Sequence, residues 1–179
     1  MVGKYVTDPI TKMHLRESEV IIRALEKHFG EDEEKWGIVG LLHDIDWDLT
    51  KNETEKHCVT AVKILKDAGA SDYLIETIIS HCYGFGEYQA KIRETRIQYA
   101  LTAAETLTGL IIANTLVQPD RKLKSVKTES LMRRFKDKSF AAKCSRERIR
   151  EGEKTGLTLE QFFTIGLKAL QEIDQELGL

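Results

Sequence analysis

Hydrophobic side chains recur along this chain at intervals of three and four residues, and the alternation typical of strands is nearly absent. This pattern predicts helices over about residues 11–29, 31–43, 54–68, 72–82 and 95–116. Shorter helices are expected over 128–135 and 146–154, and a closing amphipathic helix is expected between Thr158 and Gly178. Residues 45–52 are expected to form a loop. The sequence therefore predicts an all-α fold.

Ionisable side chains interrupt the apolar stripes of five predicted helices. They are His14, His43, His57, His81 and Glu105, and Asp44 directly follows His43. Any one of them alone is most simply a buried polar group with a hydrogen-bond partner. Burying all of them separately would cost several kcal/mol, against a typical stability of only about 5–15 kcal/mol. A shared divalent metal would pair with all of them, because neutral imidazole and carboxylate are its normal ligands.

His28 is a useful contrast to this group. It follows His14 by fourteen residues on the same predicted helix, which places it about 21 Å away at the usual helical rise. Its position just before Gly30 predicts an exposed residue that complements the helix dipole.

Length and composition are typical of one globular domain. The 179 residues are 41% hydrophobic and 31% charged, with a net charge of −2. We expect a single domain over 1–179, with a metal-binding core at about 11–116 and residues 120–179 packed on it. No apolar run has membrane-spanning length and no signal-peptide pattern begins the chain. The sequence carries no signal for an oligomeric state.

The three cysteines are Cys58, Cys82 and Cys144, and none lies in a C-x-x-C motif. An odd number of cysteines without such a motif is typical of a reducing compartment. The sequence therefore predicts a cytoplasmic protein, with neither a disulfide framework nor a thiolate zinc site.

Positive charge is concentrated in residues 120–150, here called the basic segment, which holds twelve basic and four acidic residues. Such a segment is either a solvated face or an anion-binding surface. Each cation alone is more simply solvated. Nucleic-acid binding is disfavoured, because the aromatic residues there are only Phe135 and Phe140 and no known motif matches. The candidates for contact with a phosphorylated substrate are Lys122, Lys124, Arg133, Arg134, Lys136 and Lys138.

The order His14, His43-Asp44, His57, His81 and then a later acid resembles the HD superfamily of metal-dependent phosphohydrolases. The segments WGIVGLLHDIDWD, ALTAAETLTGLI and FKDKSFAAKCSRERI are similar to those of small bacterial HD-domain proteins described as predicted hydrolases. The resemblance covers nearly the whole chain.

The resemblance implies a basic metal site at His14, His43, Asp44 and Glu105. His57 and His81 match the extra ligands of two-metal members, so one or two divalent ions are expected, from among Fe, Mn, Zn, Ni, Co and Mg. Two positions depart from the family pattern. Glu105 stands where Asp is usual, and Cys82 stands where two-metal members often have a second histidine.

The function expected from this resemblance is phosphoester hydrolysis by metal-activated water, with a nucleotide as substrate. Asp44 would hold the metal, and Asp46 would orient water or protonate the leaving group. Asp48 is expected to be a solvated acid. The alternative is a catalytically weak regulatory module that keeps the metal and phosphate pocket, and Glu105 in place of Asp motivates it.

Overall fold

A computed structural model describes the backbone of residues 1–179 and every side chain except that of Glu33. Across this described backbone there is no β-strand, which confirms the all-α prediction. The α-helices are α1 (Val2–Tyr5), α2 (Pro9–Phe29), α3 (Glu33–Leu42), α4 (Trp47–Thr50), α5 (Val59–Asp67), α6 (Asp72–Ile79), α7 (Arg96–Leu116), α8 (Thr128–Lys136), α9 (Arg146–Arg150), α10 (Leu159–Glu172) and α11 (Asp174–Leu177). Short 3₁₀ helices cover Thr54–Lys56, Ser80–Cys82, Gly86–Tyr88, Leu123–Ser125 and Glu151–Thr155.

Helix α2 begins two residues earlier than the sequence predicts. The Asp8 carboxylate accepts a hydrogen bond from the backbone N–H of Ile10 at 2.9 Å and caps the helix, and Pro9 occupies its first turn. At the other end, Gly30 adopts a left-handed conformation with φ of +70°, as the predicted stop requires.

Helices α2 and α3 pack unusually closely at Gly40. A Cβ atom at that position would lie 2.8 Å from the Cα of Glu19, so only glycine allows this approach. The close packing brings the end of α3 against the first half of α2. His43, one turn after Gly40, therefore lies beside His14.

Helix α7 runs through the middle of the core, with Ala100, Ala103, Ala104 and Leu107 fully buried. Helix α10 packs on both α2 and α7. A Cβ at Gly166 of α10 would lie 3.0 Å from a methyl carbon of Leu107. Phe162 and Phe163 of α10 are completely buried in the same core.

Two predicted boundaries are wrong. The predicted loop over 45–52 contains the short helix α4, tied to the start of α2 by Asp48. The predicted helix over 54–68 is broken, because the backbone leaves helical geometry at His57 and Cys58 before α5 begins. This break changes where both side chains point.

Candidate metal centre

His43 and Asp44 directly follow α3. The His43 ring is completely buried, and its Nδ1 lies 2.8 Å from the backbone oxygen of Gly40. Because a carbonyl can only accept a hydrogen bond, Nδ1 carries the proton. The lone pair of His43 is therefore on Nε2, which points towards Asp44.

His14 reaches the same place from α2 and is oriented by Thr108 of α7. The Thr108 hydroxyl donates its one proton to the backbone oxygen of Glu105 at 2.7 Å. It must therefore accept from Nδ1 of His14, which lies 3.2 Å away. This leaves the lone pair of His14 on Nε2.

His57 is held by Asp46. Its Nδ1 lies 2.8 Å from one carboxylate oxygen of Asp46, and the other oxygen accepts from the backbone N–H of Ala61 at 2.9 Å. Asp46 is completely buried and does not line the cavity described below. Both of its oxygens are thus engaged, and its contacts are those of a residue that positions an imidazole.

His81 lies in the 3₁₀ helix after α6. Its Nδ1 lies 2.6 Å from the backbone oxygen of Ile78, so its lone pair is also on Nε2. Arg93 supports this turn, because its guanidinium donates to the backbone oxygens of Ser80 and Tyr83 at 2.8 and 3.1 Å. The same guanidinium forms a two-point ion pair with Glu151 at 2.6 and 3.0 Å.

The four Nε2 atoms converge on Asp44. Those of His57 and His81 each lie 3.3 Å from Oδ1 of Asp44, and that of His43 lies 3.6 Å from the same oxygen. The Nε2 of His14 lies 3.8 Å from Oδ2. The nitrogens also form two close pairs, His14 with His43 at 3.2 Å and His57 with His81 at 3.1 Å.

This arrangement fits divalent metal ions. Two nitrogens bound to one ion at ~2.1 Å are roughly 3.0–3.4 Å apart for bond angles between a right angle and the tetrahedral angle. Both nitrogen pairs have this separation, and Asp44 lies between them. Lone pairs that face each other repel unless a proton or a cation lies between them. The residues can thus hold one ion at His14, His43 and Asp44 and a second at His57 and His81.

Electrostatics in the metal-free protein favour cation binding on the His43 side. Burial lowers the pKa of His43 to about 4, and burial together with His43 lowers the pKa of His14. Burial acts to raise the pKa of Asp44, but His43, His57 and His81 together hold it well below its usual range. Two neutral imidazoles therefore flank an ionised carboxylate.

The His57 side differs in its protonation. Burial opposes the charged form of His57, but hydrogen bonds with Asp44 and Asp46 outweigh it and raise the pKa of His57 to about 10. Without an ion, a proton therefore occupies His57 at neutral pH. An ion that binds there must displace this proton.

A disulfide contradicts the prediction that the cysteines of this chain are all reduced. Cys58 and Cys82 form a disulfide, and the Sγ of each lies 3.6 Å from Nε2 of His81. Together with His57 and His81 they form a second group of potential metal ligands. Their sequence separation of 24 hides this proximity in the sequence. Cys144 is a free cysteine elsewhere.

Glu105 borders the centre without joining either compact ligand group. Its Oε1 accepts from the Thr106 hydroxyl at 2.6 Å and lies 3.6 Å from a guanidinium nitrogen of Arg148. Burial raises the pKa of Glu105, opposed by Thr106 and His14. The metal-ligand role implied by the resemblance stays a prediction.

A cavity of about 410 Å³ opens beside the centre. Asp44, His57 and His81 line its inner wall, and the aromatic residues Trp47, Phe85 and Tyr88 line it further out. Among the described side chains that line it, Arg148 is the one arginine or lysine, and sequence reasoning missed it. The sequence feature that could have identified Arg148 is the segment KCSRERI, which is similar to a segment of small HD-domain proteins. The acidic lining residues besides Asp44 are Glu55, Glu87 and Glu105.

The six predicted phosphate-binding cations do not line this cavity. Lys124 forms an ion pair with Asp174 at 3.0 Å, and the guanidinium of Arg134 stacks over the ring of Phe140. The other four side chains are exposed: Lys122, Arg133, Lys136 and Lys138.

Asp48 was expected to be a solvated acid, but its carboxylate accepts hydrogen bonds from residues at the start of α2. One of its oxygens accepts from the backbone N–H groups of Thr7 and Asp8, each at 2.7 Å, and the other accepts from the Thr11 hydroxyl at 2.8 Å. These bonds hold α4 against the start of α2. They therefore stabilise the segment that carries both His14 and Asp46.

Together, these features define an all-helical structure with a candidate histidine–aspartate metal centre. A family model described as the HD domain matches residues 11–114, more than half of the chain. The chain belongs to this family, the HD superfamily of metal-dependent phosphohydrolases. Comparisons with curated proteins and with solved structures found no match. No helix in the described chain is long and apolar enough to cross a membrane.

Proposed function

We propose that this protein hydrolyses a phosphate ester of a small molecule at the centre formed around Asp44. The convergence of four Nε2 atoms on one carboxylate, each with its Nδ1 already engaged, carries this proposal. HD domains bind divalent metals, and the family acts on phosphorylated substrates. When bound, a divalent ion supplies Lewis acidity that polarises the phosphoryl group and acidifies water.

The protein residues have distinct parts in this reaction. Asp44 and the four imidazoles would hold the metal, and Asp44 lies between the two nitrogen pairs. Asp46 positions His57 through Nδ1 at 2.8 Å. We therefore assign Asp46 a positioning part, although the sequence suggested a catalytic one.

Arg148 is our candidate for the cation that binds the phosphate. It lines the cavity together with Asp44, and its guanidinium is held 3.6 Å from the Glu105 carboxylate. A planar guanidinium can donate two parallel hydrogen bonds to phosphate oxygens. Glu105 would thus orient Arg148, in addition to any part it has as a metal ligand.

The charges of the cavity favour a substrate with a single phosphate group. Glu55, Glu87 and Glu105 line it, and Arg148 is the one arginine or lysine among the described lining side chains. A triphosphate would meet more negative than positive charge outside the metal centre. Trp47, Phe85 and Tyr88 offer flat apolar surfaces to a ring. We therefore propose a nucleoside monophosphate or a similar aromatic phosphoester.

The metal-binding arrangement suits both a hydrolase and the regulatory module, and we favour the hydrolase because the HD superfamily is generally hydrolytic. A turnover screen distinguishes the two. The reduced protein, loaded in turn with Mn²⁺, Fe²⁺, Co²⁺, Ni²⁺, Zn²⁺ or Mg²⁺, is assayed with nucleoside monophosphates, triphosphates and nitrophenyl phosphates. We expect monophosphate turnover that exceeds triphosphate turnover. Full metal content without turnover of any phosphoester would support the regulatory module instead.

A cytoplasmic location stays a prediction from the sequence.

A further inference from the structure

The sulfur atoms of the two cysteines beside the candidate metal centre both lie close to His81. Each Sγ is 3.6 Å from Nε2 of His81, the nitrogen that carries the ring's lone pair. Cys58 is completely buried, whereas Cys82 lines the cavity and is accessible from it. These sulfurs are therefore neighbours of a metal-binding nitrogen, and one of them can be reached by small molecules.

The two sulfur–nitrogen distances at His81 match those around a tetrahedral ion with two nitrogen and two sulfur ligands. With Zn–S at ~2.3 Å and Zn–N at ~2.1 Å, a sulfur and a nitrogen on one ion are roughly 3.6 Å apart, and two sulfurs are roughly 3.8 Å apart. The sulfur–nitrogen separations at His81 already have this value, and His57 adds a nitrogen 3.1 Å from that of His81.

The disulfide and such a tetrahedral site exclude each other. The sulfurs of a disulfide are only ~2.0 Å apart and carry no thiolate charge. The sulfurs of Cys58 and Cys82 must therefore separate, by well over an ångström, before both can bind one ion. Reduction of the bond permits that movement.

The backbone at Cys58 supports a special position for its side chain. Cys58 adopts φ of +66° and ψ of −33°, a conformation that costs energy for any residue other than glycine. In a regular helix, consecutive side chains diverge by about 100°. The irregular backbone instead directs the consecutive side chains of His57 and Cys58 to the same group of ligands. Such strain persists where the surroundings impose it, and it clusters at functional sites.

We propose that Cys58 and Cys82, when reduced, join His57 and His81 in a thiolate–imidazole metal site that peroxide oxidation removes. On binding, the two thiols release two protons and ligate as thiolates. On oxidation, the two thiolates, one hydrogen peroxide and two protons give the disulfide and two water molecules, and the sulfur–metal bonds break. The sulfurs supply the two electrons, and the site loses two of its four ligands. This inference depends on the metal centre and is independent of phosphoester hydrolysis.

Cobalt spectroscopy tests this site directly. The full-length, metal-free protein is reduced with a phosphine under argon and titrated with Co²⁺. We expect a thiolate-to-cobalt charge-transfer absorption that saturates with one ion, and a total content of two ions per chain. Hydrogen peroxide should abolish the absorption, consume two thiols and weaken binding of the second ion, which then has only His57, His81 and Asp44 as ligands. Renewed reduction should restore all three readouts.

Cysteine variants provide the matched controls. Cys144→Ser, which alters the free cysteine outside the group, should keep the absorption and its peroxide sensitivity. Cys58→Ser and Cys82→Ser should each weaken the absorption strongly while keeping an ion at His14, His43 and Asp44. Cys82 is partly exposed, so its variant decides the matter if Cys58→Ser does not fold.

Two results would overturn the inference. One is a reduced wild-type protein that binds Co²⁺ without thiolate absorption, and the other is absorption that persists after the disulfide has formed. Phosphoester turnover, measured on the same samples, separates this inference from the proposed function. Absent turnover with intact absorption would contradict the proposed function alone, and intact turnover without absorption would contradict this inference alone.

Discussion

The metal centre and the basic segment both concentrate ionisable residues, but the structure uses them differently. In the centre, every imidazole has one nitrogen engaged by a fixed acceptor and the other aimed at Asp44. In the basic segment, Arg146 donates to the backbone oxygens of Ala141 and Cys144 at 2.9 and 2.7 Å and so holds a loop in place. Orientation by neighbouring groups therefore indicates a site better than charge density does.

The largest expected effect follows from changing Asp44, because both nitrogen pairs face it. Asp44→Asn keeps the side-chain size and removes the negative charge. We expect phosphoester turnover to fall by about 10³-fold or more, since a metal contributes several kcal/mol to the transition state and each 1.36 kcal/mol is tenfold. Steady-state assays measure this. Turnover close to that of the wild type would contradict a metal centre at Asp44.

A pair of arginine variants sharpens the comparison between the two regions. Arg148→Gln should lower kcat/KM by about 10–100-fold, because a hydrogen bond to a charged group contributes ~1.5–3 kcal/mol. Arg133→Gln changes an exposed residue of the same segment that lies outside the cavity, and it should change kcat/KM by less than about twofold. Equal losses for the two variants would mean that the whole segment acts as a phosphate-binding surface.

Glu105 connects the two regions, because it contacts Arg148 and borders the centre. Glu105→Ala should weaken metal affinity by roughly tenfold, the lower end of the loss seen when a residue that supports a metal site is removed. Calorimetric titration of the metal-free protein measures the affinity. Glu105→Gln keeps the side-chain volume and controls for packing. If affinity is unchanged in both variants, Glu105 belongs with Arg148 and not with the metal.

The sequence predicted the fold class and much of the centre because both depend on helical periodicity. The apolar stripes place His14, His43 and His81 inward, and the structure brings them together. Arg148 was missed because its access to the cavity depends on how α9 packs on α7, which no local pattern encodes. The disulfide was missed for a related reason, since the irregular turn at Cys58 directs that side chain towards Cys82. The six candidate cations were chosen by charge density, which does not specify direction.

The smallest expected effect concerns pH and the pair His57–Asp46 in the metal-free protein. The pKa of His57 is about 10 when folded and ~6.5 when unfolded, so the folded protein binds more protons between these values. The stability from this raised pKa, to which Asp44 and then Asp46 contribute, is fully present below pH ~6.5 and is lost as the pH rises through about 10. In the wild type, the free energy of unfolding falls between these two pH values. Asp46→Asn should make that fall smaller by on the order of 1 kcal/mol, which corresponds to about 2–4 °C in the change of Tm.

Thermal unfolding of the chelator-treated protein across this pH range provides the measurement. The variant Arg133→Gln is the matched control from the basic segment and should follow the wild-type curve. If Asp46→Asn and the wild type show the same pH dependence, Asp46 does not hold the proton on His57.

Metal content tests most directly whether the convergent imidazoles hold a divalent metal. Elemental analysis is carried out on the reduced, desalted wild type and on two glutamine variants. His43→Gln changes a buried donor of the centre, and His28→Gln changes an exposed histidine at the far end of α2. We predict that the wild type and His28→Gln retain at least one ion per chain and that His43→Gln loses the ion it shares with His14 and Asp44. Equal metal content in all three proteins would contradict the account.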